Sequence, residues 1–296
     1  MLKIYLLLIL ITLNLPLFAQ ETDGETINVE SSIVVLNTTI TDKEGKAVSG
    51  LKKSQFKIFE DGKEQTLDFF GAESTPFAAV ILIDTSGSME SRISLARSAA
   101  ITFLDGLRPE DNAAIYNFDS KVSLVQDFSN SRDVLDKVFE LKANGMTVLN
   151  DAIMEAAQVL SKREEKRKAI IVLSDGADTK SKYGDSKVLK AAITAGATIY
   201  TIDMSSIEMN GRDRLQSQMA LKNFAGKSGG KFIAVSGGIA LRQAFAEIVG
   251  ELGSQYTLTY SPTNNVKDGK WRAIEVRVSR PNLIIRTRKG YNAPKK

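Results

Sequence analysis

The chain has 296 residues, 43% hydrophobic and 25% charged, the proportions of a folded globular protein and not of a disordered or membrane-embedded one. Lys and Arg number 39 against 35 Asp and Glu, a formal balance of +4 with the basic residues scattered, which argues against nucleic-acid binding. With no cysteine and no histidine, disulfides, thiolate sites, Ser-His-Asp and Cys-His triads and HExxH chemistry are excluded, and any metal must be held by oxygen.

In chain order, Lys3, the apolar run Ile4–Leu13, Pro16 and Ala19 have the three parts of a secretory signal peptide spanning residues 1–20. The mature chain is then expected to be soluble and exported, with no transmembrane segment and an oligomeric state left open. From about Ile27 to Ala72 the pattern is β: Val29–Thr41 is rich in Val, Ile and Thr, and Phe56–Phe59 and Thr66–Phe70 flank the turn Glu60-Asp61-Gly62-Lys63, a hairpin signal. Between Phe77 and Gly250, short apolar runs (Ala78–Ile83, Ala113–Phe118, Ala169–Leu173, Thr198–Ile202, Lys231–Ala234) alternate with helical patterns (Arg92–Leu107, Arg132–Leu141, Asn150–Lys162, Ser186–Ala195, Arg214–Gly226, Ile239–Leu252). That alternation predicts a doubly wound α/β domain with a mostly parallel sheet, and Val122–Phe128 reads as an added antiparallel edge strand. The charged run Lys162–Lys168 reads as a solvated helix end. After Gly253 the β pattern returns in Gln255–Tyr260, Trp271–Ser279 and Leu283–Arg288, with Trp271 expected in a core. Neither flank holds enough strands for a stable sheet of its own. The expected architecture is therefore an α/β domain (residues 76–252) inserted into one small β-sandwich formed by residues 21–75 and 253–296.

The informative stretch is Asp84-Thr85-Ser86-Gly87-Ser88-Met89, directly after an apolar strand. In open parallel sheets, ligands bind beyond the carboxyl ends of strands. Asp84, Ser86 and Ser88 alternate and can point to one side, and Gly87 permits a tight turn. Two more oxygen-bearing loops are expected on the same rim: Gly145-Met146-Thr147, before a helix, and Ser174-Asp175-Gly176-Ala177-Asp178, after a strand. Three such clusters suit a hard cation that takes six oxygens. The competing reading makes Ser88 a helix N-cap, and Asp151 and Asp178 caps as well.

Together, Asp84-x-Ser86-x-Ser88, Thr147 in a Gly-x-Thr turn and Asp175 in a Ser-Asp-Gly loop resemble the metal-ion-dependent adhesion site of von Willebrand factor type A domains, over roughly Pro76 to Gly250. With Asp61-Gly62-Lys63, Gly269-Lys-Trp-Arg272 and Arg288-Lys-Gly-Tyr291, the chain resembles exported bacterial proteins related to that family. The resemblance implies that Ser86, Ser88 and Thr147 bind Mg²⁺ (or Mn²⁺ or Ca²⁺) directly, while Asp84 and Asp175 act directly or through water. Neutral hydroxyls would leave the ion attractive to an Asp or Glu of a partner protein. Met146 departs from the family, which commonly has a second glycine there. The implied function is non-enzymatic, metal-dependent protein binding. A metal-dependent hydrolase, or an envelope scaffold with a vestigial site, are the alternatives.

Three other signals carry little weight. Asp84-Thr-Ser-Gly lacks the second turn of an aspartic protease. Ser-x-x-Lys occurs at Ser49, Ser54 and Ser228 without companion motifs. Gly226-Lys227-Ser228 lacks the first glycine of a P-loop and reads as a helix C-terminus.

Overall fold

The computed structural model describes residues 33–72, 75–130, 138, 141–143, 145–205 and 211–295. The expected signal peptide, the start of the Val29–Thr41 strand and nearly all of the Arg132–Leu141 helix lie outside the described residues. No helix among the described residues is long and apolar enough to cross a membrane.

The amino-terminal flank supplies β1 (Val34–Thr41), β2 (Phe56–Glu60), β3 (Lys63–Gln65) and β4 (Phe69–Gly71). The carboxyl-terminal flank supplies β11 (Tyr256–Tyr260), β12 (Trp271–Val278), β13 (Ile284–Arg286) and β14 (Gly290–Asn292). These strands interleave into two four-stranded sheets, ordered β13-β1-β11-β4 and β14-β12-β2-β3. Each flank contributes two strands to each sheet, so neither can fold without the other. Leu36, Ile58, Tyr256 and Leu258 are fully buried in the shared core.

Between the flanks lie β5 (Phe77–Asp84), α1 (Ile93–Asp105), β6 (Asn112–Phe118), β7 (Val122–Ser129), α2 (Leu149–Ser161), β8 (Arg167–Ser174), α3 (Asp185–Thr194), β9 (Ala197–Asp203), α4 (Gly211–Ser228), β10 (Phe232–Ala234) and α5 (Gly238–Ser254). Their six strands run β10-β9-β8-β5-β6-β7, all parallel except the edge strand β7. β5 is buried at every position. Its odd-numbered residues Phe77, Ala79, Ile81 and Ile83 join the core shared with α1 and α5, and its even-numbered Ala78, Val80 and Leu82 join the core shared with α2, α3 and α4. The strand order reverses at β5, with β6 on one side and β8 on the other, and the carboxyl ends of β5 and β8 are the switch point.

Three expectations are corrected. The Asp61-Gly62 step does close a hairpin, with both residues at positive φ (49° and 81°) as a two-residue type I′ turn requires. So short a turn pairs β2 with Lys63–Gln65 immediately, and Phe69–Gly71 crosses to the other sheet beside β11. Trp271 is 45% exposed: β12 alternates strictly, and Arg272, Ile274 and Val276 take the inward face. The run Lys162–Lys168 is not uniformly solvated, because Arg167 has 0% exposure.

Arg167 begins β8 and reaches into the junction between sandwich and α/β domain. Its guanidinium donates to the Ala72 carbonyl at 2.6 Å and the Thr75 carbonyl at 3.2 Å on the incoming crossing. On the outgoing crossing it donates to the carbonyls of Leu252, at 3.3 Å, and Gln255, and its Nε donates to Thr257 Oγ1 at 2.9 Å. Arg167→Met should remove these donors and leave the buried Leu252 and Gln255 carbonyls without this partner, at a cost of about 3 kcal/mol. The check is a urea unfolding curve, in which the variant's midpoint falls well below that of the wild type.

Candidate metal centre

The switch point positions three loops. β5 ends on Asp84, whose carboxylate is fully buried. Its Oδ1 accepts the Ser86 N–H at 2.9 Å and its Oδ2 accepts the Ser174 hydroxyl at 2.6 Å. Thr85 N–H donates to the Phe118 carbonyl at 2.8 Å, fixing the chain as it leaves the sheet. It then turns through a 3₁₀ segment, Gly87–Arg92, before α1. Ser86 holds the cap position of that segment but its side chain makes no cap bond, and Ser88 lies inside the turn. The N-cap reading of Ser88 is therefore wrong. Instead, the Ser86 and Ser88 hydroxyl oxygens face one another at 3.2 Å.

The second loop is held against the first by a backbone bond, Gly87 N–H to the Gly145 carbonyl at 3.2 Å. Gly145 has φ +79°, and a Cβ there would stand 2.6 Å from Ser120 Oγ, so the loop's close approach needs glycine. Two residues on, Thr147 is buried (4% exposed). Its carbonyl accepts the N–H groups of Thr179 and Lys180 at 3.0 and 3.1 Å, and its own N–H donates to Thr179 Oγ1 at 3.0 Å.

The third loop follows β8. Ser174 Oγ accepts the Gly176 N–H at 2.9 Å while donating to Asp84, and Asp175 Oδ1 accepts the Ala177 N–H at 3.1 Å. Asp175 is 2% exposed and its charge acts on Asp84. Asp178 does cap α2, accepting the Asn150 N–H at 2.9 Å. Asp151 accepts the N–H groups of Lys182 and Tyr183, at 2.8 and 3.2 Å. The loops bearing Asp84, Ser86, Ser88, Thr147 and Asp175 are thus stitched together at one rim. Sequence reasoning did not assign Ser174, Thr179 and Ser120 their roles as the braces between those loops. Each is an ordinary loop hydroxyl whose role appears only once the strand order is known.

The donor set suits a hard cation. Among the described residues no group of three or more His, Cys, Asp or Glu side chains could hold a metal, so any ion here depends on hydroxyls beside the two carboxylates. Octahedral coordination at about 2.0–2.1 Å places neighbouring oxygens about 3 Å apart, and the Ser86–Ser88 spacing of 3.2 Å is close to such an edge. Burial, reinforced by the nearby Asp175 charge, pushes the Asp84 carboxyl up to about 6 despite the opposing hydrogen bonds from Ser174 and Ser86. A buried carboxylate so poorly compensated favours a cation beside it.

An open, mostly parallel α/β sheet with hydroxyl- and carboxylate-bearing loops at its switch point is the class that fold and site define. Residues 79–177 match the family model of the von Willebrand factor type A domain, a span that contains all three loops. Solved structures share the fold. A von Willebrand factor type A protein from Catenulispora acidiphila is 13% identical, with a TM-score of 0.51 over 90% of this chain and 75% of that one. The pilus adhesin SpaC from Lactobacillus rhamnosus GG, in an open conformation, is 10% identical, with a TM-score of 0.52 over 87% and 48%. A mutant form of the PilB minor pilin from Streptococcus sanguinis is 14% identical, with a TM-score of 0.50; the match covers 61% of this chain and only 62% of the pilin's length. A search of curated proteins gives no match.

The Asp84 environment yields a pH signature. Its folded value lies above the ordinary 3.8, so the folded chain holds this proton more tightly than the unfolded one. Its contribution to stability is therefore full below about pH 4 and is lost as pH rises to about 6, by about 3 kcal/mol. In chelator-treated protein, the stability difference between wild type and Asp84→Asn should shift against the wild type over that window. Parallel urea-derived stability profiles from pH 4.5 to 7.5 would show the carboxyl to be unperturbed.

Proposed function

We propose that this protein is an exported, non-enzymatic binding module that grips an acidic side chain of a partner protein through a divalent cation, Mg²⁺ or Mn²⁺ with Ca²⁺ as the variant. The observation that carries the reading is the pair of uncapped hydroxyls, Ser86 and Ser88, set 3.2 Å apart beside buried Asp84. When bound, the ion supplies an open coordination position for a carboxylate oxygen. The chain's own residues do the rest. Ser86, Ser88 and Thr147 contribute neutral donors, and Asp84 and Asp175 contribute charge from below. Ser174 and Thr179 hold the loops in register. Because the hydroxyl donors are neutral, the ion stays attractive to an anionic ligand. The chain matches the fold of a pilus adhesin, and adhesion by an exported protein agrees with its amino-terminal sequence.

Mg²⁺ titration followed by thermal unfolding tests the metal half of the reading. At a hundredfold excess over the dissociation constant, binding should stabilise the wild type by about 2.7 kcal/mol, and Asp84→Ala should show no metal-dependent rise in melting temperature. Crosslinked pull-down of the full chain tests the other half. Partner recovery should fall with chelator and with Ser86→Ala, whereas recovery that ignores both would point to binding through the sandwich.

A further inference from the structure

A second opening on the carboxyl side of the central sheet shares none of the five metal-site residues. It is a cavity of about 420 Å³ between the end of β9, the start of α5 and the 3₁₀ turn before α1, within the size range of small-molecule sites. Arg92 and Arg214 line it from opposite elements, and Leu95 and Leu241 form apolar wall. Arg92 also donates to the Met204 carbonyl, which holds its guanidinium in place. The amino terminus of α5, a 17-residue helix, forms another wall through Gly237. Gly237 offers no side-chain cap, and the first turn contains no acidic residue, so no side chain of that turn offsets the positive end of the helix dipole.

An independent observation indicates a missing ligand. Ser205 lines the cavity and is only 7% exposed, yet its hydroxyl has no hydrogen-bond partner. A buried hydroxyl left unpaired is costly and calls for an account. The adjacent Asp203 carboxylate accepts the Ser205 backbone N–H at Oδ1 (2.8 Å) and Gln218 Nε2 at Oδ2 (2.6 Å) but does not pair with the Ser205 hydroxyl. Two guanidinium groups, one of them partly engaged by Met204, line the opening with an uncapped helix terminus and an unpaired hydroxyl, a set of donors that an oxyanion would complement.

We infer that this cavity binds a small oxyanion, the phosphate or carboxylate head of a molecule whose short apolar body lies on Leu95 and Leu241. The inference does not rest on the metal reading. Its test is run in chelator, so failure at one site leaves the other untouched. Amide NMR spectra of the full chain are followed during titration with inorganic phosphate, with acetate, and with chloride at matched ionic strength. The expected result is saturable movement of the Gly238, Ile239 and Ser205 amides with phosphate or acetate but not chloride. Arg214→Gln should weaken the dissociation constant at least tenfold, and Ser205→Ala severalfold. Whichever of the two anions saturates identifies the head group. Movement that stays linear with every salt, or saturates equally in both variants, overturns the inference.

Discussion

The structure depends on one fully buried guanidinium. An inserted domain must enter and leave its host at nearly the same point, and here it does so between paired residues: Gly71 at the end of β4 lies opposite Thr257 in β11. The two crossings bring backbone carbonyls to one junction, with Leu252 and Gln255 buried on the outgoing side. Arg167 supplies several donors in a rigid planar fork, and satisfies carbonyls on the way in and on the way out. Lysine could not span that geometry. Further bonds complete the seam, with Gln255 Nε2 donating to Tyr200 Oη at 2.9 Å and Thr39 Oγ1 at 3.2 Å. Asn37 Nδ2 donates to the Lys166 carbonyl at 3.3 Å.

With its base anchored in this way, the central sheet presents the opposite rim as a set of fixed strand ends. Asp84 and Ser174 are brought within 2.6 Å only because β5 and β8 are parallel neighbours in register, Ile83 opposite Leu173. The chain spends ninety residues between those two positions, and α2 must cross the sheet face to return. The same reversal that creates the cleft thus places a carboxylate where burial penalises its charge. Such local cost at a rim, inside an otherwise well-packed domain, is the usual mark of a functional position.

Much of this was legible beforehand, for definite reasons. Strand runs buried on both faces stand out as continuous apolar stretches, so β5, β8 and β9 announce themselves, and the loop after β5 can be placed at a carboxyl edge without knowing the strand order. What could not be read depended on distant partners. Arg167 sits in a charged run that looks solvated, and only the crossings above it explain its burial. The hairpin was visible in Asp61-Gly62, but its second strand was misplaced because turn chemistry fixes the near end of a strand and not its destination. Trp271 shows that hydrophobicity alone does not assign a face. The alternation of β12 gives the inward position to Arg272, whose guanidinium donates to Asp268 at 3.0 Å and to the Val266 carbonyl at 3.2 Å.

Met146 bears on how the two halves of the rim relate. It is 51% exposed, on the loop that Gly145 presses against Gly87, while its neighbour Thr147 is buried. Its backbone N–H is held by Ser120 Oγ at 3.1 Å, so the apolar side chain has a fixed root beside the Ser86–Ser88 pair. A large exposed apolar group on a braced loop costs the free protein nothing in packing, and it offers an approaching surface contact area at once. A partner carboxylate reaching the hydroxyls would meet that side chain on the way. On the proposed reading, glycine at the same position would leave that approach open to any acidic residue, whereas methionine would favour an acid flanked by apolar neighbours. Charge would then set which atom is gripped, and the rim would set which sequences can bring it there.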